Sequence, residues 1–191
     1  RVDPSSGKVD SILIEQDEAW VYASNEIYWK DNYNKFTWMS DRDGWRHAYS
    51  YSSDGKNVKS VTSGKFDVIK LLQTAKNDDY FYYIASPENP SQRYLYRVAK
   101  DGSGNEKITP DSEIKGTHNY NISPDGSHAI VSSSNAENPP VTKLVTLPDY
   151  KVIKVFESNE KLKKKFNDLK RSPVEYFYVD IGDGHRLHSK C

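Results

Sequence analysis

Residues 38–64 read WMSDRDGWRHAYSYSSDGKNVKSVTSG, and the pattern of this stretch returns further along the chain. It contains two strand-like runs, an Asp-Gly turn and a third strand-like run; Asp-Gly favours tight hairpins because it tolerates positive φ. A shift of 47 residues brings residues 39–63 of this stretch onto residues 86–110, SPENPSQRYLYRVAKDGSGNEKITP. The matching pairs are Arg46 with Arg93, Tyr49 with Tyr96, Asp54-Gly55 with Asp101-Gly102, and Val61-Thr62 with Ile108-Thr109.

A third copy of this unit is looser, and a partial copy precedes the first. Glu88-Asn89-Pro90 recurs as Glu137-Asn138-Pro139, and Gly7-Lys8 stands 48 residues before Gly55-Lys56. The predicted first strands are Phe36–Ser40, Tyr80–Ala85 and Ala129–Ser133. The predicted second strands are His47–Tyr51, Tyr94–Val98 and Lys143–Leu147. A further strand, FDVIKLL or HNYNIS, separates the copies, so each unit supplies four short strands.

Four short strands in about 45 residues is the period of a β-propeller blade. We therefore predict an all-β fold in residues 1–156, a partial β-propeller of about three four-stranded antiparallel blades plus part of another. The alternative is an ordinary antiparallel sandwich, in which the shared offset of turn, Arg, Tyr and Val-Thr would be coincidence. Because a ring needs roughly four to eight blades, we expect the missing blades to precede Arg1.

The pattern changes after residue 156. Residues 157–173 carry Leu162, Phe166 and Leu169 in one helical stripe, which predicts a short helical linker. Ser158 or Asn159 can cap its start, and its lysines are typical of a solvated helix face. Residues 174–191 read as a β-hairpin turning at Gly182-Asp183-Gly184, and we expect this hairpin to be the first strands of a following domain.

Charge and composition argue against several classes of protein. Lys plus Arg is 27 and Asp plus Glu is 27, so the net charge is zero, whereas a nucleic-acid binder carries a basic excess. No apolar run approaches the ~20 residues that span a bilayer, so no membrane segment is predicted. Cys191 is the one cysteine and cannot form an internal disulfide.

The sequence shows no catalytic motif. It lacks the Gly-x-Ser-x-Gly of a nucleophile elbow, and Asp41 and Asp43 lack the later ligands of a calcium loop. His185 and His188 are predicted to point to opposite faces of one strand, and no cysteine cluster completes a zinc site. We therefore predict no catalytic residue, no metal site and no cofactor.

Three segments carry a likeness to a known family: FTWMSDRDGWRHAYSYSSDGKNVKSVTSGKFDV, FYYIASPENPSQRYLYRVAKDG and GTHNYNISPDGSHAIVSSSNAENPPVTKLV. They resemble the propeller of the dipeptidyl peptidase IV family, which includes bacterial prolyl tripeptidyl peptidases. The tail SPVEYFYVDIGDGHRLHS resembles the start of that family's α/β-hydrolase domain.

The resemblance implies part of a serine exopeptidase that removes N-terminal dipeptides or tripeptides, usually after proline. Its partners would be peptide substrates and the hydrolase domain of the same chain. From the repeat itself we expect exposed sheet edges at both ends, which favour pairing with another chain, so a homo-oligomer is a further expectation. The resemblance also implies that the Ser-Asp-His triad and the glutamates that hold the substrate amine lie outside residues 1–191. It implies a periplasmic or extracellular location.

One loop is expected to approach the substrate. In this family the segment after a Trp-Val pair lines the pocket beyond the proline site. Here Trp20-Val21 is followed by Tyr22 to Asn25, so the resemblance makes Trp20, Tyr22 and Asn25 the candidate substrate-proximal residues. The alternative is a connecting strand that packs Trp20 into the sheet.

Two functions remain open from the sequence. The first is a propeller that gates and positions peptides for a hydrolase domain, and the second is a non-enzymatic propeller that binds partner proteins. The C-terminal segment Val174–His188 distinguishes the two functions. In the first it is the start of a hydrolase domain, and in the second it is a strand pair that completes the propeller ring.

Overall fold

The computed structural model describes residues 1–22, 26–30, 32–72 and 79–191, and these residues are almost entirely β. They form three four-stranded antiparallel sheets, one short helix and one two-stranded hairpin. The chain divides into two compact units, the first comprising Arg1–Gln73, Asp78–Ala85 and Arg97–Glu106. The second comprises chiefly Ser86–Tyr96 and Lys107–Cys191, so the middle sheet contributes residues to both units.

The first sheet has its four strands in chain order. They are β1 (Tyr28–Lys30), β2 (Lys35–Ser40), β3 (His47–Ser52) and β4 (Val58–Ser60). Phe36 on β2 lies directly opposite Tyr51 on β3, and their rings stack with centroids 5.0 Å apart. Aromatic pairs across strands stabilise sheets, which explains why the sequence repeats aromatics on alternate positions here.

The second sheet also follows chain order, with β5 (Val68–Leu72), β6 (Tyr80–Ala85), β7 (Tyr94–Ala99) and β8 (Glu106–Lys107). Strand β6 is buried along nearly its whole length. Tyr83 and Val68 have no measurable exposure. The run YFYYIA is apolar on both faces because both faces of this strand are covered.

The third sheet consists of β9 (Thr117–Ile122), β10 (His128–Ser134), β11 (Val141–Thr146) and β12 (Val152–Glu157), again in sequential order. Strand β11 begins two residues before the predicted Lys143–Leu147 and ends one residue earlier. It ends there because Thr146 donates its N–H to Lys151 O at 2.9 Å and closes the turn. Leu147 precedes a proline and instead bonds to Ser127 O.

Equivalent hydrogen bonds appear in the first two copies of the repeat. The Thr62 hydroxyl accepts the backbone N–H of Ala48 at 2.9 Å, and the Thr109 hydroxyl accepts that of Leu95 at 2.8 Å. In both copies the residue before the threonine donates its N–H to the same partner's carbonyl at 2.8 Å. All four residues are almost fully buried. The 47-residue offset is therefore a repeat of structure as well as of sequence.

Removing either threonine hydroxyl should cost stability, because the buried N–H of Ala48 or Leu95 would lose its acceptor. We expect Thr62→Val and Thr109→Val each to lower the free energy of unfolding by about 1–2 kcal/mol in urea denaturation. Thr142→Val on β11 is the matched control, since Thr142 is only half-buried and should change little. Losses no larger than that of the control would contradict the shared role of the two threonines.

The C-terminal part contains α1 (Glu160–Asn167), β13 (Tyr176–Gly182) and β14 (His185–Lys190). The hairpin turns at Gly182, Asp183 and Gly184, all with positive φ, as predicted. Asn159 occupies the N-cap position, but its side chain donates to Pro140 O at 2.6 Å instead of capping the helix. The helix ends before Leu169, so the predicted stripe was too long. None of its residues is buried, and no helix among the described residues is long and apolar enough to cross a membrane.

Candidate functional site

The predicted substrate-proximal loop lies in the first unit and presents its aromatic residues to solvent. Trp20 is 80% exposed and Tyr22 is 59% exposed, whereas Asn25 lies outside the described residues. The alternative that Trp20 packs into a sheet is therefore wrong. The Asp17 carboxylate accepts the backbone N–H groups of Ala19 at 2.8 Å and Trp20 at 3.1 Å. These bonds lower the pKa of Asp17 and fix a backbone turn from which the Trp20 side chain projects into solvent.

Tyr22 is held by an arginine of the repeated motif. The guanidinium carbon of Arg46 lies 4.6 Å from the centroid of the Tyr22 ring, a cation–π contact. Backbone bonds fix Arg46 itself: its N–H donates to the Asp67 carboxylate, and its carbonyl accepts from Val68, both at 2.8 Å. The neighbouring Trp45 is 41% exposed. The backbone at the start of β3 thus supports an exposed aromatic surface that includes Tyr22 and Trp45.

The segment that leads into this loop is anchored by an ion pair. Nη2 of Arg42 lies 2.6 Å from Oε1 of Glu15, and the two side chains are only 32% and 18% exposed. The Ser40 hydroxyl donates to Oε2 of Glu15 at 2.9 Å and accepts Nε–H of Arg42 at 2.9 Å. Such charge-assisted bonds are stronger than neutral ones. They join the segment before Trp20 to the turn between β2 and β3.

Two tyrosines of β3 complete this network. Arg42 stacks over the ring of Tyr49 at 4.6 Å and donates to the hydroxyl of Tyr51. Burial alone would lower the pKa of Arg42, but the hydrogen bond to Glu15 and the nearby Tyr51 hold it above its ordinary value. Burial, with the hydrogen bond that Tyr49 donates to Asp43, raises the pKa of Tyr49. Arg42 therefore stays charged and Tyr49 protonated at neutral pH.

The space between loop and sheet is small. A cavity of about 30 Å³ is lined by residues of both, including Glu15, Trp20, Tyr22 and Arg42. That volume holds about one water molecule. The loop therefore offers an exposed aromatic surface rather than a closed pocket.

The histidines have structural surroundings. His47 is buried, with Nε2 donating to Gly64 O at 3.0 Å and Nδ1 3.1 Å from the Thr62 hydroxyl. His118 is buried and donates from Nε2 to Ile114 O at 2.8 Å. Among the described residues, no three of His, Cys, Asp and Glu converge in a way that could hold a metal.

The Glu15–Arg42 anchor is the part of the site that sequence reasoning missed. Its two members are 27 residues apart; Glu15 occurs in a stretch that shows no motif, and nothing in the repeated stretch around Arg42 indicates the partner of this arginine. The nearby Asp41 and Asp43 resemble the start of a calcium loop in sequence alone. Asp43 instead accepts from Tyr49, and the sequence carried no signal for the Glu15 contact.

Breaking the anchor should destabilise the first unit. We expect Arg42→Leu to lower the free energy of unfolding by about 2 kcal/mol, because Glu15 would keep a half-buried charge without a partner. The control is Lys8→Met, since Lys8 and Asp10 form an ion pair whose side chains are 71% and 55% exposed; that loss should stay below about 0.5 kcal/mol. Adding Glu15→Leu to Arg42→Leu should restore part of the loss in urea denaturation. Similar losses for Arg42→Leu and Lys8→Met would rule out the anchor.

Three sheets of four sequential antiparallel strands, the first two with equivalent hydrogen bonds at one offset, have the organisation of β-propeller blades. The fold of the crystal structure of Porphyromonas gingivalis dipeptidyl peptidase 4 is similar over 98% of this chain and 26% of that one, with a TM-score of 0.84 and 23% identity. A sequence model of the family described as the dipeptidyl peptidase IV (DPP IV) N-terminal region matches residues 1–140, and the chain belongs to this family. The predicted fold class and family are confirmed.

Curated relatives show the same similarity at the level of sequence. Dipeptidyl peptidase 4 of Trichophyton equinum is 24% identical over 197 residues, covering 96% of this chain and 25% of the relative. Dipeptidyl peptidase 4 of Arthroderma otae is 26% identical over 151 residues, covering 78% of this chain and 19% of the relative. The chain thus spans a quarter or less of the length of these relatives.

Proposed function

We propose that this chain gates and positions peptides for a serine exopeptidase that removes N-terminal X-Pro dipeptides, or tripeptides. In this proposal the cleavage is performed by a hydrolase domain of the same polypeptide, and the parent acts in the periplasm or outside the cell. The observation that carries the proposal is the exposed pair Trp20 and Tyr22, fixed by Asp17, Arg46 and the Glu15–Arg42 anchor. Membership of the dipeptidyl peptidase IV family supports it.

The chemistry of the loop suits peptide contact. Aromatic faces offer large apolar area at low entropic cost, and a proline ring or an apolar side chain can pack against them. Because Asp17 fixes the backbone at Trp20 and Arg46 packs against Tyr22, little ordering of these two aromatic residues is needed on binding. The chain's own residues would supply position and restricted access, and the nucleophile and its base would come from the hydrolase domain.

Binding to the loop can be tested by NMR on the chain itself. Titration with the tripeptide Ile-Pro-Ile should shift the indole N–H signal of Trp20, which Trp20→Phe identifies by its loss. Arg42→Leu should weaken the shift, because the segment before Trp20 would lose its anchor, whereas Lys8→Met should not. A Trp20 signal that stays unchanged to high peptide concentration would refute the positioning role.

A second prediction follows because the proposal assigns cleavage to the hydrolase domain and not to residues 1–191. The chain alone should not cleave Gly-Pro-p-nitroanilide, because none of its residues is assigned to the proposed catalytic machinery. The assay follows nitroaniline release at high protein concentration. Turnover by the pure chain that a serine-directed inhibitor abolishes would contradict the proposal.

A further inference from the structure

The second unit contains a polar cavity that the proposed function does not use. Its volume is about 580 Å³, within the range of about 300–1,000 Å³ typical of small-ligand sites. Its walls come from the loops before β7, before β9 and after β10, and from the open end of the terminal hairpin. Amide and hydroxyl groups dominate the lining, among them Asn89, Gln92, Thr117 and Asn135.

The walls of this cavity are fixed by internal bonds. The side-chain oxygen of Asn135 accepts the backbone N–H groups of Glu137 at 3.0 Å and Asn138 at 2.8 Å. Its side-chain nitrogen donates to Lys115 O at 3.1 Å, so two loops are joined. At Gly116 an added Cβ would lie 2.2 Å from Ser134 O, and only glycine permits this approach. The cavity is therefore preformed.

The cavity is lined by charged side chains of both signs. Lys115, Lys190 and Glu137 line it, and none of them forms an ion pair with a residue in the described part of the chain. Two other lysines of this unit differ: Lys107 pairs with Asp111, and Lys143 pairs with Glu113, each at 2.7 Å. Lys115 acts on Asp111 only at longer range, adding to the effect of Lys107 in lowering the pKa of that carboxyl.

We infer that this cavity binds a short peptide with free ends. Lys115 and Lys190 would hold the carboxylate, Glu137 the amino group, and the amides of Asn89 and Gln92 the peptide bond. The choice of a peptide as ligand rests on the proposed function; the presence of charges of both signs and of amide groups in the lining is independent of it. The site would be separate in sequence from the Trp20 loop and would contain no group that cleaves.

Titration with the dipeptide Gly-Pro tests this site on the intact chain, with the Gly116 amide signal as reporter. Lys115→Met and Glu137→Gln should each weaken binding about tenfold, the cost of one hydrogen bond to a charged group. The dipeptide amide Gly-Pro-NH2 should also bind about tenfold more weakly than Gly-Pro, because it lacks the carboxylate that the lysines would hold. Lys161→Met on the exposed helix α1 is the matched control and should bind as the wild type does.

The outcomes separate this inference from the proposed function. No saturable shift at Gly116, or equal affinity in Lys115→Met and the control, would overturn the cavity site. If peptides shift the Trp20 indole but not Gly116, the cavity site is wrong and the positioning loop stands. If they shift Gly116 alone and the charge variants weaken binding, the cavity site is supported and the loop is not.

Discussion

Replacement of Gly55 by alanine is expected to lower the free energy of unfolding of the first unit by about 3 kcal/mol. Gly55 has φ +74°, a left-handed conformation that costs other residues about 1–2 kcal/mol. An added Cβ would also lie 1.9 Å from Ile12 O. A backbone carbonyl cannot move aside as a side chain can, and overpacking of this kind typically costs a further 1–3 kcal/mol, roughly. Urea denaturation measures the loss.

The matched control is Gly7→Ala, because Gly7 is the counterpart of Gly55 in the partial first copy. Gly7 has a similar φ of +68°, but no atom lies within 4 Å of its added Cβ. We expect Gly7→Ala to cost only about 1 kcal/mol, the conformational part alone. Equal losses for the two variants would show that Ile12 does not pack against the turn of the first sheet.

Acid should destabilise the second unit through His118. Its Nε2 donates to Ile114 O, so Nδ1 carries the lone pair, and this buried atom has no hydrogen-bond partner in the described structure. Burial lowers the pKa of His118 from its ordinary value of 6.5, against smaller effects of Ile114 O and Glu113 that raise it. The unfolded chain therefore takes up a proton as the pH falls below about 6.5, while the folded chain does not until its lower pKa is reached.

The sign of this effect follows from proton uptake. Because the unfolded state binds more protons in this window, stability falls as the pH falls, by at most about 1.4 kcal/mol per pH unit. The comparison is His118→Phe, which keeps an aromatic ring at this position but removes the titratable group. Urea denaturation at several pH values should show a shallower decline for this variant. An unchanged slope between pH 7 and 5 would exclude His118 as its cause.

Much of the fold could be predicted because its units are repeated. The Asp-Gly turns and the Val-Thr or Ile-Thr pairs form the same hydrogen bonds in two copies. The 47-residue offset was therefore enough to predict the strands and turns of the first two sheets. The ends of strands and helices were harder to predict from the sequence. Strand β11 ends at Thr146 because of the turn hydrogen bond to Lys151, and the helix ends before Leu169. Such ends are decided by single contacts that periodicity does not encode.

The candidate site was only partly accessible from the sequence. A Trp-Val pair located Trp20 and Tyr22, but their exposure depends on Asp17 and on the Glu15–Arg42 pair. That pair joins residues far apart in the chain, and its members look ordinary in isolation. The polar cavity was likewise invisible, because its loops are brought together by Asn135 and Gly116 rather than by a motif.

The central claim is that each copy of the repeat folds into its own four-stranded sheet. Cross-strand contacts measured by NMR on isotope-labelled protein test it most directly. The structure predicts contacts of Trp38 with Tyr49 in the first copy and of Val131 with Tyr120 in the third. Contacts that instead pair strands of different copies, such as Tyr49 with Val131, would mean a two-layer sandwich and would contradict both the propeller and the function built on it.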